Sequence, residues 1–276
     1  MAMVIQTNTA SMEAMKNLQK NQHNLQKSFN RLSSGFRINS AADDAAGLAI
    51  SESMKSQVRS FTVAERNAGD GISMAQTAEG ALGEVHSILG RMRELSMQSS
   101  NGSLTSQDRS YLDTEFKALQ SEIGRIQDSA KFNGKKLVNS TASSVTFQVG
   151  LDNVTSDQIK VTFGGVNLAT VSGTTTKISG TTASAALSSL KTIDSAIQTV
   201  STARSKFGTA MNRLETASSN IGTMRLNISA ANSRIRDVDV ASEASAMTRN
   251  QVLTQAGISV LAQANQLPNM AFGLIG

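Results

Sequence analysis

The apolar residues of this chain recur at every third or fourth position over stretches far longer than an ordinary globular helix. This spacing puts them on one face of a helix, and it is typical of helices that pack against other helices. The first long stretch consists of Phe61, Ala64, Ala68, Gly71, Ala75, Ala78, Leu82, Val85, Leu89 and Met92. We therefore predict a mainly α fold.

A second stretch with the same spacing runs from Ala186 to Ile235. As one helix it would measure about 75 Å at ~1.5 Å per residue. A compact domain of the chain's length would have a radius of gyration of only about 19 Å. We therefore expect a long helical rod or coiled-coil bundle, unless Gly208 or Gly222 breaks the helix. Four polar residues interrupt the apolar stripe: Arg204, Ser218, Arg225 and Asn232.

Residues 139–182, in the middle of the chain, differ in character from the helical stretches. Ser, Thr and Gly dominate there, and apolar residues alternate with polar ones, as in short strands with one buried face. The alternating residues are Val145, Phe147, Val149, Ile159, Val161 and Phe163. We predict a small β region between the helical halves.

The two ends of the chain form terminal arms, residues 1–40 and 236–276. The first arm has five basic side chains and one acidic one, whereas the second has three acidic and two basic ones. Each arm carries a heptad-like stripe, Leu18, Leu25 and Leu32 in the first and Leu253, Val260 and Leu267 in the second. Two such arms bury little bulky apolar surface by themselves. We expect them to be disordered in the monomer and to become helical when neighbouring copies cover them.

Charge and hydropathy argue against several classes of partner. The net charge of +5 and the pI near 9.6 raise the question of nucleic acid. Because the excess is local to the first arm and the second arm is acidic, we expect complementary strips and no nucleic-acid partner. No apolar run approaches the roughly 20 residues that span a bilayer, so we expect no membrane insertion. The first residues show no Sec-type leader, and export, if it occurs, would use another route.

Residues 32–50, LSSGFRINSAADDAAGLAI, contain two adjacent carboxylates. Gly35 is placed to end a helix in the left-handed conformation. Ser40 then supplies an N-cap hydroxyl, with Asp43 and Asp44 in the first turn of the next helix, where negative charge is favourable. The alternative is a catalytic or metal-binding pair, which would need further ligands. The nearest candidates are Glu52 and His23, and we favour helix capping.

Signals of catalysis are weak elsewhere. There is no glycine-rich phosphate loop, GxSxG or HExxH motif, and His23 and His86 lie in helical segments without an evident partner. Cysteine is absent, which excludes thiolate metal sites. We expect no enzyme activity, no catalytic or metal residues and no cofactor.

Several segments together resemble bacterial flagellins. After LSSGFRINSAADDAAGLAI, the chain contains further flagellin-like segments in the family's order, over nearly its whole length: RMRELSMQSSNG (91–102), FNGKKL (132–137), NRLETASSNI (212–221), SRIRDVD (233–239) and QAGISVLAQANQ (255–266). Hook-filament junction proteins of the flagellum are the alternative. They share SGxRIN and the double aspartate, but tend to have Pro where this chain has Ala45 and Ala46, and they lack the RxREL segment.

The resemblance implies a structural subunit of the flagellar filament, which self-assembles into an extracellular helical polymer used for swimming. It implies secretion through the flagellar export apparatus with an export chaperone, and contacts with filament cap and hook-junction proteins. The arms, residues 1–40 and 236–276, would form an inner coiled-coil tube. Residues 41–235 would form the surrounding helical rod, and the large variable outer domains of typical flagellins would be missing.

The resemblance also implies a candidate surface for the Toll-like innate receptor that senses flagellin. Arg91, Leu95 and Glu115 match the family's contact positions, although these residues would also serve subunit contacts, with Leu95 partly packed. The chain has Gly90 where activating flagellins commonly have Gln. Its C-terminal sequence, FGLIG, departs from the common Leu-Leu-Arg end, which bears on recognition by cytosolic sensors.

The length of the periodic stretches predicts the shape of the monomer. We expect small-angle X-ray scattering to give a radius of gyration well above the ~19 Å of a compact domain. A scattering profile of a compact sphere would contradict the rod interpretation.

Overall fold

A computed structural model describes the backbone of residues 7–173 and 176–272, and the side chains up to residue 266. The described helices are α1 (Thr9–Ser34), α2 (Ala45–Ser99), α3 (Ser106–Ser129), α4 (Ala169–Ser172), α5 (Ser184–Arg236) and α6 (Val240–Phe272). The described strands are β1 (Lys131–Phe132), β2 (Lys135–Lys136), β3 (Ser143–Gln148) and β4 (Gln158–Phe163), with a 3-10 turn at Thr155–Asp157. The mainly α fold and the small β region in the middle of the chain are confirmed.

The chain divides into two compact units. The terminal unit comprises Met1–Val58 and Asn227–Gly276, and the central unit comprises Arg59–Leu226. Both boundaries fall inside long helices, α2 and α5. Our division into arms and a middle segment stays a prediction about assembly.

The core of the central unit contains the predicted stripe of α2. All ten residues of that stripe are buried, and Ala68, Ala75 and Ala78 are fully so. Alanine allows neighbouring backbones to approach closely, because it adds only a methyl group to the contact. The buried residues of α5 in this unit include Ile193, Val200 and Leu214. The three-and-four spacing therefore predicted this core correctly.

Two of the four polar residues that interrupt the α5 stripe, Arg204 and Arg225, have partners on α2. The Arg204 Nε donates to Glu79 Oε1 at 2.9 Å, and a guanidinium nitrogen of Arg225 lies 3.4 Å from Glu65 Oε2. Helix α5 continues without a break through Gly208 and Gly222.

The larger sheet pairs β3 and β4 in antiparallel register, with Val145 opposite Val161. Alternate residues of β4 are buried, as the period of two predicted. Phe163 stacks on Phe207 of α5, with ring centroids 5.4 Å apart. Gly71 of α2 allows a close approach, since a Cβ there would lie 3.0 Å from Leu214 Cδ1.

The β1–β2 hairpin was not predicted. It turns at Asn133 and Gly134, which have φ values of 46° and 79°. Two successive residues with positive φ are typical of the type I′ hairpin turn, for which Asn-Gly is the favoured sequence. The Asn-Gly pair in FNGKKL was therefore a usable signal.

Helix α3 holds the segment before α5 with buried polar side chains. The Gln120 Nε2 donates to the carbonyl oxygens of Val171 at 2.8 Å, Gly173 at 3.2 Å and Thr176 at 2.8 Å. Gln120 is buried, so these carbonyls obtain from one amide the hydrogen bonds that water would otherwise supply.

Two charged residues of α3 act in the same way. The buried Arg109 donates through Nη1 to the Thr181 carbonyl at 3.2 Å, and the buried Asp113 accepts from the Ile178 N–H at 2.9 Å. Burial alone would raise the pKa of Asp113. The hydrogen bonds from Lys117 and from the Ile178 N–H outweigh the effect of burial and lower the pKa. The carboxylate therefore stays charged, as its role as acceptor requires.

We expect Gln120→Met to lower the free energy of unfolding by about 3 kcal/mol, since it keeps the volume but leaves buried carbonyls without donors. Urea denaturation measures this loss. Gln98→Met is the matched control, because Gln98 is exposed on α2, and it should change the unfolding free energy by less than about 0.5 kcal/mol. Equal effects of the two changes would contradict the role assigned to Gln120.

Candidate self-assembly surface

Helices α1 and α6 pack against each other in antiparallel orientation. The Asn8 side chain, before α1, donates to the Ala264 carbonyl near the end of α6 at 2.9 Å. At the other end, an Arg31 guanidinium nitrogen lies 3.4 Å from Glu243 Oε2. This ion pair is one contact between the basic and acidic arms that the sequence suggested. The two ends of the described chain are thereby joined in one helical pair.

Our expectation of disordered arms differs from the structure, in which both arms are helical. The reason is that each helix gives the other a partner. The interface uses small residues on α6, where a Cβ at Gly257 would lie 3.3 Å from Leu18 Cδ1. Pairing at this distance orders both helices with few bulky side chains on α6.

The predicted stripes of the two arms do not face each other. Leu18, Leu25 and Leu32 are half-buried, but Leu253 is 43% exposed and Val260 is 55% exposed. The residues of α6 that are half-buried instead include Asn250, Thr254, Gly257 and Leu261. The small Thr254 and Gly257 allow a closer helix contact than the Leu253 and Val260 face would. The side chain of Leu267 lies outside the described residues.

Large apolar side chains therefore remain exposed on the helical pair, and we refer to them together as the exposed apolar surface. It consists of Met12, Met15 and Phe29 on α1 and Val252, Leu253, Ile258 and Val260 on α6, each at least 43% exposed. Among the described residues of the terminal unit, the buried hydrophobic side chains are Ile38 and Ala264. Large exposed apolar surfaces on a folded chain mark sites of interaction with other molecules.

The turns at the other end of the pair lie side by side. The Arg37 N–H donates to the Arg236 carbonyl at 2.6 Å, and the Val238 N–H donates to the Gly35 carbonyl at 3.0 Å. Gly35 ends α1 in the left-handed conformation, with φ of 76°, as predicted. The Arg236 guanidinium also lies 4.5 Å from the centroid of the Phe36 ring. The GFRIN and SRIRDVD segments thus contact each other directly.

The sequence predicted Ser40 as the N-cap, with Asp43 and Asp44 in the first helical turn. In the structure Asp44 is the N-cap, and Ser40 and Asp43 lie before the helix. Helix α2 begins at Ala45, and the Asp44 carboxylate accepts from the Gly47 N–H at 2.9 Å, as an N-cap does. Ser40 lies too far before the helix to cap it. Ser40 instead donates through its N–H and its hydroxyl to Asp43, each at 3.2 Å, within the preceding turn.

Asp43 and Asp44 have separate partners and do not form a reactive pair. Lys27 Nζ lies 2.9 Å from Asp43 Oδ1. The hydrogen bond from Lys27, with those from Ser40, lowers the pKa of Asp43 to about 2. Glu52, considered above as a further ligand, pairs with Arg236 at 2.5 Å. Among the described residues, no cluster of three acidic, His or Cys side chains could hold a metal ion.

The candidate receptor residues are only partly available at the surface. Arg91 donates through Nε to Glu115 Oε1 at 3.0 Å and contacts Glu94 at 3.0 Å. These hydrogen bonds, which Arg91 donates first to Glu94 and then to Glu115 in order of effect, raise the pKa of Arg91. The Arg91 and Glu115 side chains are each about half exposed, but Leu95 is 1% exposed. A partner therefore has access to the ion pair and not to Leu95.

The terminal helices and their exposed apolar surface are those of a helical protein that associates with other molecules. Comparison with known proteins identifies the family. Residues 5–143 match the model of the bacterial flagellin N-terminal helical region, and residues 190–275 match that of the C-terminal helical region. The chain belongs to the bacterial flagellin family.

Individual relatives agree with this assignment. A flagellin of Halalkalibacterium halodurans is 45% identical over 273 residues, which are 99% of this chain and 100% of that relative. Flagellin D of Vibrio cholerae is 51% identical over 153 residues, which are 55% of this chain and 41% of that longer protein.

Solved structures are also similar. The crystal structure of Bacillus cereus flagellin has 30% identity and a TM-score of 0.51 over 60% of this chain and 94% of that one. A putative flagellar hook-associated protein from Vibrio parahaemolyticus has a TM-score of 0.58 over 71% of this chain and 100% of that one, but at 19% identity it supports the fold alone. Nothing here favours the hook-filament junction alternative over flagellin.

The protein is accordingly a structural subunit of the bacterial flagellar filament and not an enzyme. Flagellin is exported and self-assembles into the extracellular polymer on which swimming depends. None of the described helices is long and apolar enough to cross a membrane.

The lowered pKa of Asp43 predicts a pH dependence. Because its pKa is lower in the folded chain, Asp43 stabilises the fold above its ordinary pKa of 3.8, and this contribution is lost as the pH falls towards about 2. We expect Asp43→Asn to lower the unfolding free energy at pH 7 by about 1 kcal/mol or less, and the difference from the unmodified protein to vanish near pH 2. Urea denaturation between pH 7 and pH 2.5 measures this.

Asp44→Asn is the matched control, since Asn is an equally good N-cap. It should leave the unfolding free energy at pH 7 nearly unchanged. A difference between Asp43→Asn and the unmodified protein that stays constant down to pH 2.5 would contradict the role of the Lys27 ion pair.

Proposed function

We propose that the terminal arms, residues 1–40 and 236–276, form the inner contacts between subunits of the filament, and that residues 41–235 surround them. The observation that carries the proposal is the exposed apolar surface of α1 and α6. Leu253 and Val260 stay exposed beside α1 and would be covered by α1 or α6 of neighbouring copies. Leu18, Leu25 and Leu32 would hold the pair together within one copy.

Substitutions on this surface test the proposal. We expect Leu253→Ser with Val260→Ser to raise the critical concentration for elongation of filament seeds roughly tenfold or more, because each residue loses the benefit of burial. Light scattering and electron microscopy of seeded growth measure this. Circular dichroism of the monomer should stay unchanged, since both residues are exposed.

Leu187→Ser is the matched control. Leu187 is 57% exposed on α5 in the central unit, outside the proposed contacts, so this change should leave elongation unchanged. Normal elongation of the Leu253 and Val260 variant would refute the proposal. An equal defect in the Leu187 variant would show that the contacts do not depend on the arms.

We further propose the partners that the flagellin family implies: the flagellar export apparatus, an export chaperone, the filament cap and the hook-junction proteins. The match to a flagellin over its entire length supports this. The exposed apolar surface supports a chaperone in particular, because such a surface is prone to aggregation before assembly.

A Toll-like innate receptor for flagellin is a further proposed partner of the monomer, through Arg91 and Glu115. The supporting observation is that these two side chains are paired with each other and exposed on neighbouring helices. Leu95 would contribute by supporting the position of Arg91 from the core and not by direct contact.

We expect Arg91→Ala to raise the Kd for the receptor roughly thirtyfold or more, because truncation removes a charge from the centre of the proposed contact. Surface plasmon resonance with the receptor ectodomain measures this. Arg125→Ala is the control, because Arg125 is an exposed arginine of α3 that also pairs with a glutamate. Undetectable binding by the unmodified monomer would refute the proposed partner.

A further inference from the structure

Methionine is the main oxidisable side chain of this protein. The sequence has twelve methionines, no cysteine, no tryptophan and a single tyrosine. Peroxides convert an accessible methionine to its sulfoxide, which methionine sulfoxide reductases reverse. The site of oxidation in this chain is therefore set by which methionine sulfurs are exposed.

Two exposed methionines lie on the proposed assembly surface. Met12 is 64% exposed and Met15 is 50% exposed, and both lie on α1, three residues apart on neighbouring positions of the helix surface. By contrast, Met74 is 5% exposed and Met92 is fully buried in the central unit. Oxidants should thus reach the arm well before they reach the core.

We propose that Met12 and Met15 form a reversible oxidation site that controls assembly of the subunit. The proposal rests on the proposed function of the arms in subunit contacts. The oxidant is a peroxide, and the modified state is the monomer before it joins the filament.

The reaction balances with hydrogen peroxide alone. A lone pair of the methionine sulfur attacks one peroxide oxygen and forms the sulfur–oxygen bond as the oxygen–oxygen bond breaks. The departing oxygen leaves as water after proton transfer. The sulfur is oxidised by two electrons and the peroxide is reduced by the same two.

The sulfoxide changes the chemistry of the surface. It replaces a flexible apolar side chain with a polar one, and a polar group buried without a hydrogen-bond partner is unfavourable. In the monomer the sulfoxide is solvated and costs little. In a subunit contact it must lose that water, so oxidation favours the monomer over the polymer. The same contact should shield both sulfurs in a finished filament.

Seeded elongation after peroxide treatment of the monomer tests this. The protein carries Met3→Leu and Met270→Leu, so that the remaining methionines of the arms are Met1, Met12, Met15 and the half-buried Met247 of α6. Oxidation is followed separately at each of these four residues. Peptide mass spectrometry measures the oxidation of residues 12 and 15. We expect this oxidation to raise the critical concentration for elongation roughly tenfold or more. Treatment with the two sulfoxide reductases should restore elongation as the peptide that contains residues 12 and 15 loses the added oxygen.

Two further variants identify the residues responsible. Met12→Leu with Met15→Leu should elongate normally and resist peroxide. Met97→Leu with Met224→Leu should remain sensitive, because Met97 and Met224 are 53% and 50% exposed but lie in the central unit. In assembled filaments, residues 12 and 15 should be oxidised much more slowly than Met97.

The possible failures are distinguishable. Normal elongation of monomer that is fully oxidised at residues 12 and 15 would overturn the proposal, as would equal peroxide sensitivity of the Met12 and Met15 variant. Protection by the Met97 and Met224 changes would place the sensitive site elsewhere. If the Met12 and Met15 variant assembles poorly even without peroxide, the test is the oxidised parent protein. Recovery of its elongation after reductase treatment supports the proposal, and no recovery overturns it. Failure of the arm function itself would appear separately, as normal elongation of the Leu253 and Val260 variant.

Discussion

The terminal unit depends on a short backbone contact between two turns. The turn after α1 and the turn before α6 exchange hydrogen bonds at Arg37 and Val238. Since α1 ends at one of these turns and α6 begins at the other, the contact determines that the two helices run antiparallel from a common point. Gly35 makes this geometry accessible, because its positive φ lets α1 end and the chain reverse within a few residues. Arg236 then fixes the junction through Phe36 and Glu52.

The two units differ in where their apolar residues lie, and this difference fits their roles in a filament subunit. The central unit places its stripes inside, so its stability does not require another copy. The terminal unit orders its helices with small residues such as Gly257, and this leaves larger side chains such as Leu253 and Val260 exposed. A helix pair built in this way is complete as a backbone structure but not as a hydrophobic core.

The sequence predicted features that depend on local spacing and missed those that depend on distant partners. The buried stripe of α2 and the strands β3 and β4 were predictable, because helix and strand periods act over neighbouring residues. The face that α6 presents to α1 was not predictable. Whether the Leu253 side or the Gly257 side of α6 contacts α1 depends on how closely the two helices approach. The polar contacts of Gln120 were missed for a similar reason, because their acceptors lie about fifty residues away in a segment without regular pattern.

The helix start at Asp44 illustrates competition between neighbouring signals. Ser40 and Asp44 are both good N-cap residues, and a pattern alone does not rank them. The structure selects Asp44 because Asp43 is already engaged by Lys27 and Ser40, so the helix begins after both. The same contacts explain how two adjacent carboxylates coexist, since each is stabilised by its own donors.

The size of the residues on the exposed surface has a consequence for how a filament grows. Each large apolar side chain contributes about 1.5–3 kcal/mol when it is fully buried, whereas joining two molecules costs about 4–15 kcal/mol in lost freedom of motion. A contact that covers one or two of Met12, Met15, Phe29, Leu253 and Val260 therefore cannot hold a subunit, but one that covers most of them can. Such coverage requires several neighbours at once, which a filament end provides and a pair of free monomers does not. The surface thus favours addition to an existing end over association in solution.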